Sequence, residues 1–364
     1  MKIGKITLDG YFNYGNVLQN YALRQVLLQY ADVVDCLWHE QDKFLVRTWY
    51  KWSWKEPIKW ILNYHGYRDK IFSDIHGMEI VRQGRIKEWC DRYIGIKKVM
   101  DLSTVADDYD YFVVGSDQVW NPYFSNLQHC FLSFASPEKR IAYAASISCP
   151  TIPVEKHTLY KKGFSEMKSI SMREQQGADI VKEFSGRDVP VVVDPTLLLT
   201  PDDWCKVSRK PAWFHGEDYI LTYFLGKRPE VVKCLEKETG LKVINLLDEN
   251  VYEHYVTGPD EFIWAIEHAR LVYTDSFHGT VFSILFRTPF VVCNRIGSEV
   301  EEKMGSRVDT LLGYFGLNAR RGTKANNYAI EKPLEAPDWS MVDKVLNRER
   351  QRSNEYLCES LGMK

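Results

Sequence analysis

The stretch Arg270-Leu-Val-Tyr-Thr-Asp-Ser-Phe-His-Gly-Thr-Val-Phe-Ser-Ile-Leu-Phe286 decides the fold of this chain. Residues 271–274 are apolar and β-branched or aromatic, which predicts a short buried strand. Asp275 and Ser276 are both good helix N-cap residues, and residues 279–286 continue as an apolar helix. The stretch therefore predicts a strand that leads directly into a helix, as in parallel α/β sheets.

His278 lies in the first turn of this predicted helix, just past the carboxyl end of the strand. Free backbone N–H groups and the helix dipole favour an anion at that position. In open α/β sheets the same edge is where ligands bind. Two interpretations are open at this point: His278 acts on a ligand, or it bonds a neighbouring carbonyl in a buried turn.

Length and composition restrict the class of protein. The 364 residues suit two domains, and 47 Lys and Arg residues against 49 Asp and Glu residues give no indication of a nucleic-acid partner. The eight cysteines form no C-x-x-C pair and no cluster at zinc spacing, so we expect no metal site. The N-terminus enters a strand without a signal peptide, and no apolar run would span a bilayer. These features predict a reduced, soluble, cytoplasmic protein.

Further glycine and polar residues follow predicted strands. They are Gly15-Asn16 after strand 3–8, Gly115-Ser-Asp-Gln118 after the strand that begins at 110, Arg173 after strand 168–173, and Asp194 near the end of strand 189–196. Gly-Asn pairs also occur in ordinary turns, and Glu174 or Asp179 offers Arg173 a plain ion-pair partner. In a doubly wound sheet, however, all strand exits share one edge, so two such domains would place these residues around one crevice.

Proline and glycine residues in a polar stretch between predicted elements indicate the domain boundaries. Residues 1–205 are predicted to form an N-terminal Rossmann-like domain, in which strand 3–8 is followed by a helix over 17–30, and residues 212–330 a C-terminal one. The second domain contains strands 219–224 and 241–247 and helices 229–239, 261–269 and 308–314. The C-terminal helix, 338–364, is expected to pack back on the first domain.

Residues 47–70 interleave basic and aromatic side chains with few acids. One interpretation is an inserted helical excursion whose tryptophans pack on the domain. The other is a surface that touches membrane headgroups or a lipid-linked saccharide at the inner face of the membrane, because such interfaces favour Trp, Tyr, Lys and Arg. We favour the first and keep the second open.

Five segments together resemble the polysaccharide pyruvyltransferase family. They are Gly15-Asn-Val-Leu-Gln-Asn-Tyr-Ala-Leu23, Val114-Gly-Ser-Asp-Gln-Val-Trp-Asn-Pro122, Ile170-Ser-Met-Arg-Glu174, Val193-Asp-Pro-Thr-Leu-Leu-Leu199 and Thr274-Asp-Ser-Phe-His-Gly-Thr-Val-Phe-Ser-Ile-Leu-Phe286. The resemblance implies an α/β fold of two Rossmann-like domains with mainly parallel sheets in a glycosyltransferase-B-like arrangement. It also implies transfer of pyruvate from phosphoenolpyruvate, the donor substrate, to two hydroxyls of a sugar in a surface or capsular polysaccharide precursor. The products would be a cyclic ketal and phosphate, and no cofactor is implied.

The chain departs from this resemblance at Ser276, where other branches of the family carry an Arg two residues before the His. A donor with a carboxylate and a phosphate needs more than one strong cation, and Arg suits it by its fork geometry. Arg173 matches the Arg of the family's Ser-x-Arg motif. We propose Arg307 as the replacement for the missing cation.

The resemblance and the residue types together predict a site. His278 is the candidate general acid, because imidazole titrates near neutral pH. Asp275 or Asp117 would accept hydroxyl protons, although Asp275 is also a candidate for a plain helix cap. The predicted catalytic residues are His278, Arg173 and Asp275, and the predicted substrate-binding residues are Gly15, Asn16, Gln19, Ser116, Asp117, Gln118, Glu174, Ser276, Phe277, Gly279 and Arg307.

Two other functions remain possible from the sequence. A sugar-nucleotide glycosyltransferase would use the same architecture, since a fold does not fix a function, but no segment here specifies a base and ribose pocket. A catalytically silent sugar-binding protein is the second, and it would have no need of Arg173, His278 and Arg307 at one cleft. The expected partners are phosphoenolpyruvate and a saccharide acceptor that is free, nucleotide-linked or lipid-linked.

Overall fold

The computed structural model describes residues 1–8, 10–11, 13–39, 75–123, 127–297 and 305–363. Its first sheet has six parallel strands in the order β3-β2-β1-β4-β5-β6. They are β1 (Lys2–Ile6), β2 (Val33–His39), β3 (Ile96–Val99), β4 (Tyr111–Asp117), β5 (Arg140–Ala145) and β6 (Ser169–Met172). This order reverses direction between β1 and β4, and a crevice opens at such a switch point.

The second sheet has five parallel strands in the order β11-β10-β9-β7-β8. They are β7 (Tyr219–Tyr223), β8 (Lys242–Leu246), β9 (Leu271–Thr274), β10 (Phe290–Cys293) and β11 (Arg321–Gly322). Here the order reverses between β7 and β9. The prediction of an α/β fold with two Rossmann-like parallel sheets in a glycosyltransferase-B-like arrangement is confirmed.

Twelve α-helices are found in the described residues. They are α1 (Tyr14–Leu27), α2 (Ile75–Tyr93), α3 (Leu127–Cys130), α4 (His157–Ser165), α5 (Gln175–Ser185), α6 (Pro201–Cys205), α7 (Leu235–Thr239), α8 (Tyr252–Tyr255), α9 (Pro259–Glu267), α10 (Phe277–Leu285), α11 (Ser306–Phe315) and α12 (Trp339–Ser360). Helix α1 begins three residues earlier than predicted, because the Asn13 side chain accepts a hydrogen bond from the Gly15 N–H and caps it. Gly15 and Asn16 therefore lie inside its first turn.

Helix α1 is buried between the two sheets. The ring of Tyr14 packs against Tyr223 of β7 and Phe262 of α9, with centroids 5.4 and 4.8 Å away. Its hydroxyl donates to the Thr257 carbonyl at 2.6 Å. Farther along the helix, Tyr21 contacts Trp204, whose ring in turn packs on Phe282 of α10. One continuous apolar core thus joins both sheets and fixes the cleft between their ligand edges.

Helix α12 lies against strands and loops of the first sheet. The Tyr356 hydroxyl donates to the Ala142 carbonyl at 2.8 Å, and the Ser353 hydroxyl accepts from the Val193 N–H at 3.2 Å. Arg350 donates to the carbonyls of Leu197 and Leu199. These hydrogen bonds hold α12 on the backbone of the first domain.

The predicted strand over 189–196 is wrong. Only one bridge, between Val191 and Met172, joins this segment to the first sheet, and Pro195–Leu197 form a 3-10 turn. Two prolines remove backbone donors, so side chains satisfy the segment instead: Ser353 on the Val193 N–H and the Tyr143 hydroxyl on the Val193 carbonyl. Asp194 occupies the position that a residue at a strand exit would occupy, so it still lies at the ligand edge of the first sheet.

The predicted helix over 229–239 is divided into a 3-10 turn, Glu230–Lys233, and the short helix α7. The basic and aromatic segment 47–70 lies outside the described residues. Within the described residues, none of the helices combines the length and apolarity that crossing a membrane requires.

Candidate active site

The two switch points face each other, and His278 lies between them. Its ring packs against Gly15, at the start of α1, so closely that a Cβ on Gly15 would lie 2.0 Å from Nδ1. The imidazole is 6% exposed. The first turn of α10 and the first turn of α1 therefore meet at this residue, and both helix N-termini point their free N–H groups toward the cleft.

Arg173 follows β6 and is the central cation of the cleft. Its Nη1 donates to Asp194 Oδ2 at 2.6 Å, and its Nη2 donates to Asp117 Oδ1 at 3.0 Å. Burial lowers the pKa of Arg173, but the charges of Asp117 and Asp194 outweigh burial and raise this pKa above its usual value. The two ion pairs are buried, so losing one partner would leave an uncompensated buried charge.

Asp194 connects Arg173 to His278. Its Oδ2 lies 3.6 Å from His278 Nε2 and accepts from the Ser116 hydroxyl at 3.0 Å, while Oδ1 accepts from the Thr196 N–H and hydroxyl. Burial would raise the pKa of Asp194, but the charges of His278 and Arg173 and the Thr196 hydrogen bonds outweigh it and hold the pKa well below its usual value. Asp194 is therefore an ionised anchor between a cation and the imidazole.

Arg307, from α11, enters the same cluster from the other sheet. Its Nη1 lies 3.6 Å from Asp117 Oδ1. Burial and then the charge of Arg173 lower the pKa of Arg307 to about 10, so the guanidinium stays charged at neutral pH. The ring of Phe277 lies between the two cations, with the Arg173 and Arg307 guanidinium carbons 4.5 and 5.7 Å from its centroid.

Asp117, which the two arginines share, bridges the sheets electrostatically. Burial would raise its pKa, but Arg173, His278 and Arg307 together lower the pKa of Asp117 below its usual value. An ionised carboxylate between two guanidinium groups is able to accept a proton only when one of those cations is engaged elsewhere, for example by an anionic ligand.

The turn before α10 holds Asp275 and Ser276 by backbone hydrogen bonds. Ser276, rather than Asp275, is the N-cap, because its hydroxyl oxygen accepts from the Gly279 N–H at 3.2 Å. Asp275 instead accepts from the N–H groups of Leu225 and Gly226, each at 2.8 Å, across the β7–β9 switch point. Burial raises the pKa of Asp275. Its side chain thus ties two ligand-edge loops together.

A second network supports the loop after β4. Gln19 Oε1 accepts from the Ser116 N–H at 2.9 Å, and Gln19 Nε2 donates to the Thr7 hydroxyl and to the Asn16 carbonyl. Through Ser116 this network reaches Asp194. Gln19, Asn16 and Ser116 therefore position the cluster from the side of the first sheet.

Two of the predicted binding residues make hydrogen bonds to described residues outside this cluster. Glu174 accepts from the Ser146 hydroxyl and the Ile147 N–H, in the loop after β5. Gln118 bonds the Asn121 side chain within its own turn. The individual roles of all the predicted site residues remain predictions.

Among the described residues, several buried polar atoms without a hydrogen-bond partner belong to the predicted site residues. They are Asn16 Nδ2, Arg173 Nε, Glu174 Oε2, His278 Nε2 and Arg307 Nε. Such atoms are rare in folded proteins, because each forfeits the hydration that it had in water. The four nitrogens among these atoms suit a small anionic ligand that accepts from several donors at once, whereas Glu174 Oε2 is itself an acceptor.

Sequence reasoning placed Asp194 at the ligand edge but did not include it among the catalytic or binding residues. The Asp-Pro turn explained it adequately, and no local pattern indicates its contact with Arg173, 21 residues earlier. Arg295 was missed altogether, although it follows β10 as the other site residues follow their strands. Its Nε lies 3.5 Å from Asp275 Oδ2.

A match to a family model identifies the family of this chain. A sequence model described as polysaccharide pyruvyl transferase matches residues 13–296, more than half of the chain. The chain belongs to the polysaccharide pyruvyl transferase family. The match includes every residue of the cluster except Arg307, and it identifies the protein as a transferase of polysaccharide pyruvylation.

Solved structures resemble this pyruvyl transferase only in the overall path of the backbone. A UDP-GlcNAc 2-epimerase of Neisseria meningitidis is 9% identical, with 96% of this chain and 100% of that chain covered and a TM-score of 0.40. MurG of Acinetobacter baumannii is 10% identical over 99% of both chains, with a TM-score of 0.40. The glycosyltransferase SnogD of Streptomyces nogalater is 11% identical over 98% and 95%, with a TM-score of 0.39. Comparison with curated proteins gives no match.

Proposed function

We propose that the protein transfers pyruvate from phosphoenolpyruvate to two hydroxyls of a saccharide, which forms a cyclic ketal and releases inorganic phosphate. Family membership supports the pyruvyl transfer. The observation that carries the choice of donor is the convergence of His278, Arg173 and Arg307, each with an unpartnered nitrogen, in one buried cluster. A donor with a carboxylate and a phosphate offers several acceptor oxygens to these nitrogens.

His278 is the proposed general acid. It donates a proton to the methylene carbon of the donor, which becomes a methyl group and leaves the adjacent carbon electrophilic. Asp194 Oδ2 lies 3.6 Å from His278 Nε2, the ring nitrogen that has no hydrogen-bond partner, so the carboxylate and the donor would approach the same edge of the ring. The close contact with Gly15 on the other face prevents the ring from swinging out of the cleft.

The proposed reaction forms two carbon–oxygen bonds to the sugar and breaks the one to phosphate. The oxygen of the first sugar hydroxyl bonds to the electrophilic carbon and loses its proton. The bond from that carbon to the phosphate oxygen breaks, and phosphate leaves with the electron pair. The oxygen of the second hydroxyl then bonds to the same carbon and loses its proton, which closes the ketal. Of the two hydroxyl protons, one replaces the proton that His278 gave to the methylene carbon and the other is taken up by the departing phosphate, so no net proton is released.

Arg307 and Arg173 are the proposed donor ligands, with different functions. Arg173 has both Nη atoms bonded to carboxylates and offers Nε, so it also sets the cluster's geometry. Among the described residues, the carboxylate nearest to Arg307 is that of Asp117 at 3.6 Å, so Arg307 offers Nε and its charge. When the donor engages Arg307, Asp117 is released from one cation and becomes the better proton acceptor for a sugar hydroxyl.

A phosphate-release assay tests this proposal directly. The protein is incubated with phosphoenolpyruvate and a panel of saccharides, and inorganic phosphate and the mass gained by the saccharide are measured together. The donor alone should also raise the melting temperature, since a ligand at about a hundred times its Kd stabilises the folded state by about 2.7 kcal/mol. Turnover of nucleotide sugars, with neither phosphate release nor a thermal shift from phosphoenolpyruvate, would replace this function by glycosyl transfer.

A further inference from the structure

A second cavity, of about 640 Å³, opens at the ligand edge of the second sheet beside the catalytic turn. Leu225 and Gly226, whose N–H groups hold Asp275, are followed at once by Lys227 and Arg228, which line this cavity. The Lys227 N–H donates to the Ile296 carbonyl at 2.8 Å and closes its wall. The cavity therefore begins one residue beyond the loop that Asp275 clamps.

The lining of this cavity is basic on one part and apolar on the other. Lys227, Arg228 and Lys233 supply positive charge, and the one acid in the lining, Glu230, pairs with Lys233 at 2.7 Å. Lys227 makes no ion pair with any residue that the structure describes. The apolar part includes Ile296 and Tyr328. The whole chain carries a net charge of −2, so this positive lining is a local feature and not a general property of the surface.

A smaller cavity, of about 30 Å³, lies on the side of this segment that faces the catalytic turn. Its lining also contains positively charged side chains. Arg295 and Arg307 both line it, and the Nε of each has no hydrogen-bond partner. Because Ile296 lines the larger cavity and Arg295 the smaller, the two cavities adjoin across one peptide. Cationic groups thus run from the cluster around Asp117 to Lys227.

We infer that the larger cavity binds a diphosphate ester that carries the saccharide acceptor. This inference rests on the proposed function, in which the sugar hydroxyls must reach His278. A neutral sugar gains little from the charges of Lys227 and Arg228, whereas a diphosphate pairs with them. The apolar or aromatic substituent of the diphosphate would cover Ile296 and Tyr328. A polyprenyl diphosphate and a nucleoside diphosphate share this chemistry, and the cavity selects the carrier end of the acceptor rather than its sugar.

Binding titrations without phosphoenolpyruvate test the inference. Isothermal titration calorimetry follows geranylgeranyl diphosphate in detergent micelles, with geranylgeraniol as its uncharged control, and UDP in buffer. The variant Lys227→Glu/Arg228→Glu is compared with Lys161→Glu/Lys162→Glu, a matched pair of adjacent exposed cations on α4. Melting curves establish that both variants are folded.

We expect one of the two esters to bind wild type and the Lys161/Lys162 variant equally. Affinity should fall at least about tenfold in the Lys227/Arg228 variant, because each charge-assisted contact that is lost is worth roughly that factor. Binding of the lipid ester identifies a lipid-linked acceptor, and binding of UDP a nucleotide-linked one. The inference is overturned if neither ester binds, or if the Lys227/Arg228 variant binds as tightly as wild type. Because no donor is present, a failure of phosphoenolpyruvate turnover would leave this result standing.

Discussion

Gly15 and His278 are in direct contact across the cleft: a Cβ added to Gly15 would lie 2.0 Å from His278 Nδ1 and 2.4 Å from its Cγ. Gly15 belongs to the first turn of α1 and His278 to the first turn of α10. Gly15 is therefore required for space rather than for an unusual backbone conformation. The contact couples the position of the proposed acid to the helix that follows β1.

Gly15→Ala should abolish most turnover, because the added methyl group overlaps the imidazole and displaces it. Alanine is otherwise the better helix former by about 1 kcal/mol, so any loss runs against its intrinsic propensity. The measurement is the rate of phosphate release together with the melting temperature. Gly84→Ala in α2 is the matched control, since a Cβ there meets no atom within 4 Å, and it should keep full activity. Normal turnover in Gly15→Ala would show that the contact is dispensable.

His278→Gln should leave the fold and most donor affinity intact and reduce turnover by roughly a hundredfold to ten-thousandfold, the usual contribution of a positioned acid. Glutamine keeps a polar side chain of similar reach but has no proton that titrates near neutral pH. Single-turnover phosphate release and a donor titration monitored by melting temperature separate the two effects. Near-normal turnover would show that His278 has a purely structural function in the first turn of α10.

Arg307→Ala should weaken donor binding by roughly ten- to a hundredfold, since a hydrogen bond to a charged group is worth about 1.5–3 kcal/mol. The double variant Ser276→Arg/Arg307→Ala should recover part of that affinity by placing a cation where other branches of the family have one. Donor affinity is measured by calorimetry for both proteins. Arg270→Ala, at a largely exposed arginine, serves as the control for loss of one positive charge.

The competing explanation for Arg307 is that it braces α11. In that case Arg307→Ala would lower the melting temperature and leave the affinity of the folded protein for the donor unchanged. The double variant would then show no recovery, and the idea that Arg307 compensates for Ser276 would be abandoned.

Asp194→Asn should lower the free energy of unfolding at pH 7 by roughly 3–5 kcal/mol, the cost of breaking a buried ion pair. The pKa of Asp194 in the folded protein lies below the value of about 3.9 for an unfolded Asp. Its stabilisation is thus present above that unfolded value and lost as the pH falls through the folded pKa. Chemical denaturation of wild type between pH 7 and pH 3 should therefore show a steeper loss of stability than denaturation of Asp194→Asn.

Asp188→Asn is the control for this comparison, because Asp188 is exposed and its ion-pair partner among the described residues is Lys182, also at the surface. Its unfolding free energy should match wild type at every pH. Parallel pH profiles for wild type and Asp194→Asn would contradict the assignment of Asp194 as an ionised anchor.

The local elements of the fold followed from the sequence because their causes are local. The apolar run 271–274 and the capping residues after it specify a strand and a helix within one window, and the structure has β9 and α10 there. The segment 189–196 shows the limit of this reasoning. Its apolar pattern resembles a strand, but side chains from Tyr143 and Ser353, the latter 160 residues away, take the place of strand partners.

The sequence by itself determined which residues stand at strand exits, since the run of apolar residues and the polar residue that ends it are adjacent in the chain. Only the tertiary structure decided which of those exits meet. Strand orders that reverse between β1 and β4 and between β7 and β9 bring Arg173, Asp194 and His278 into one cluster, and they place Arg307 beside Asp117 from 190 residues away. These contacts depend on packing energies summed over both sheets, and a summed energy leaves no pattern in any single window of sequence.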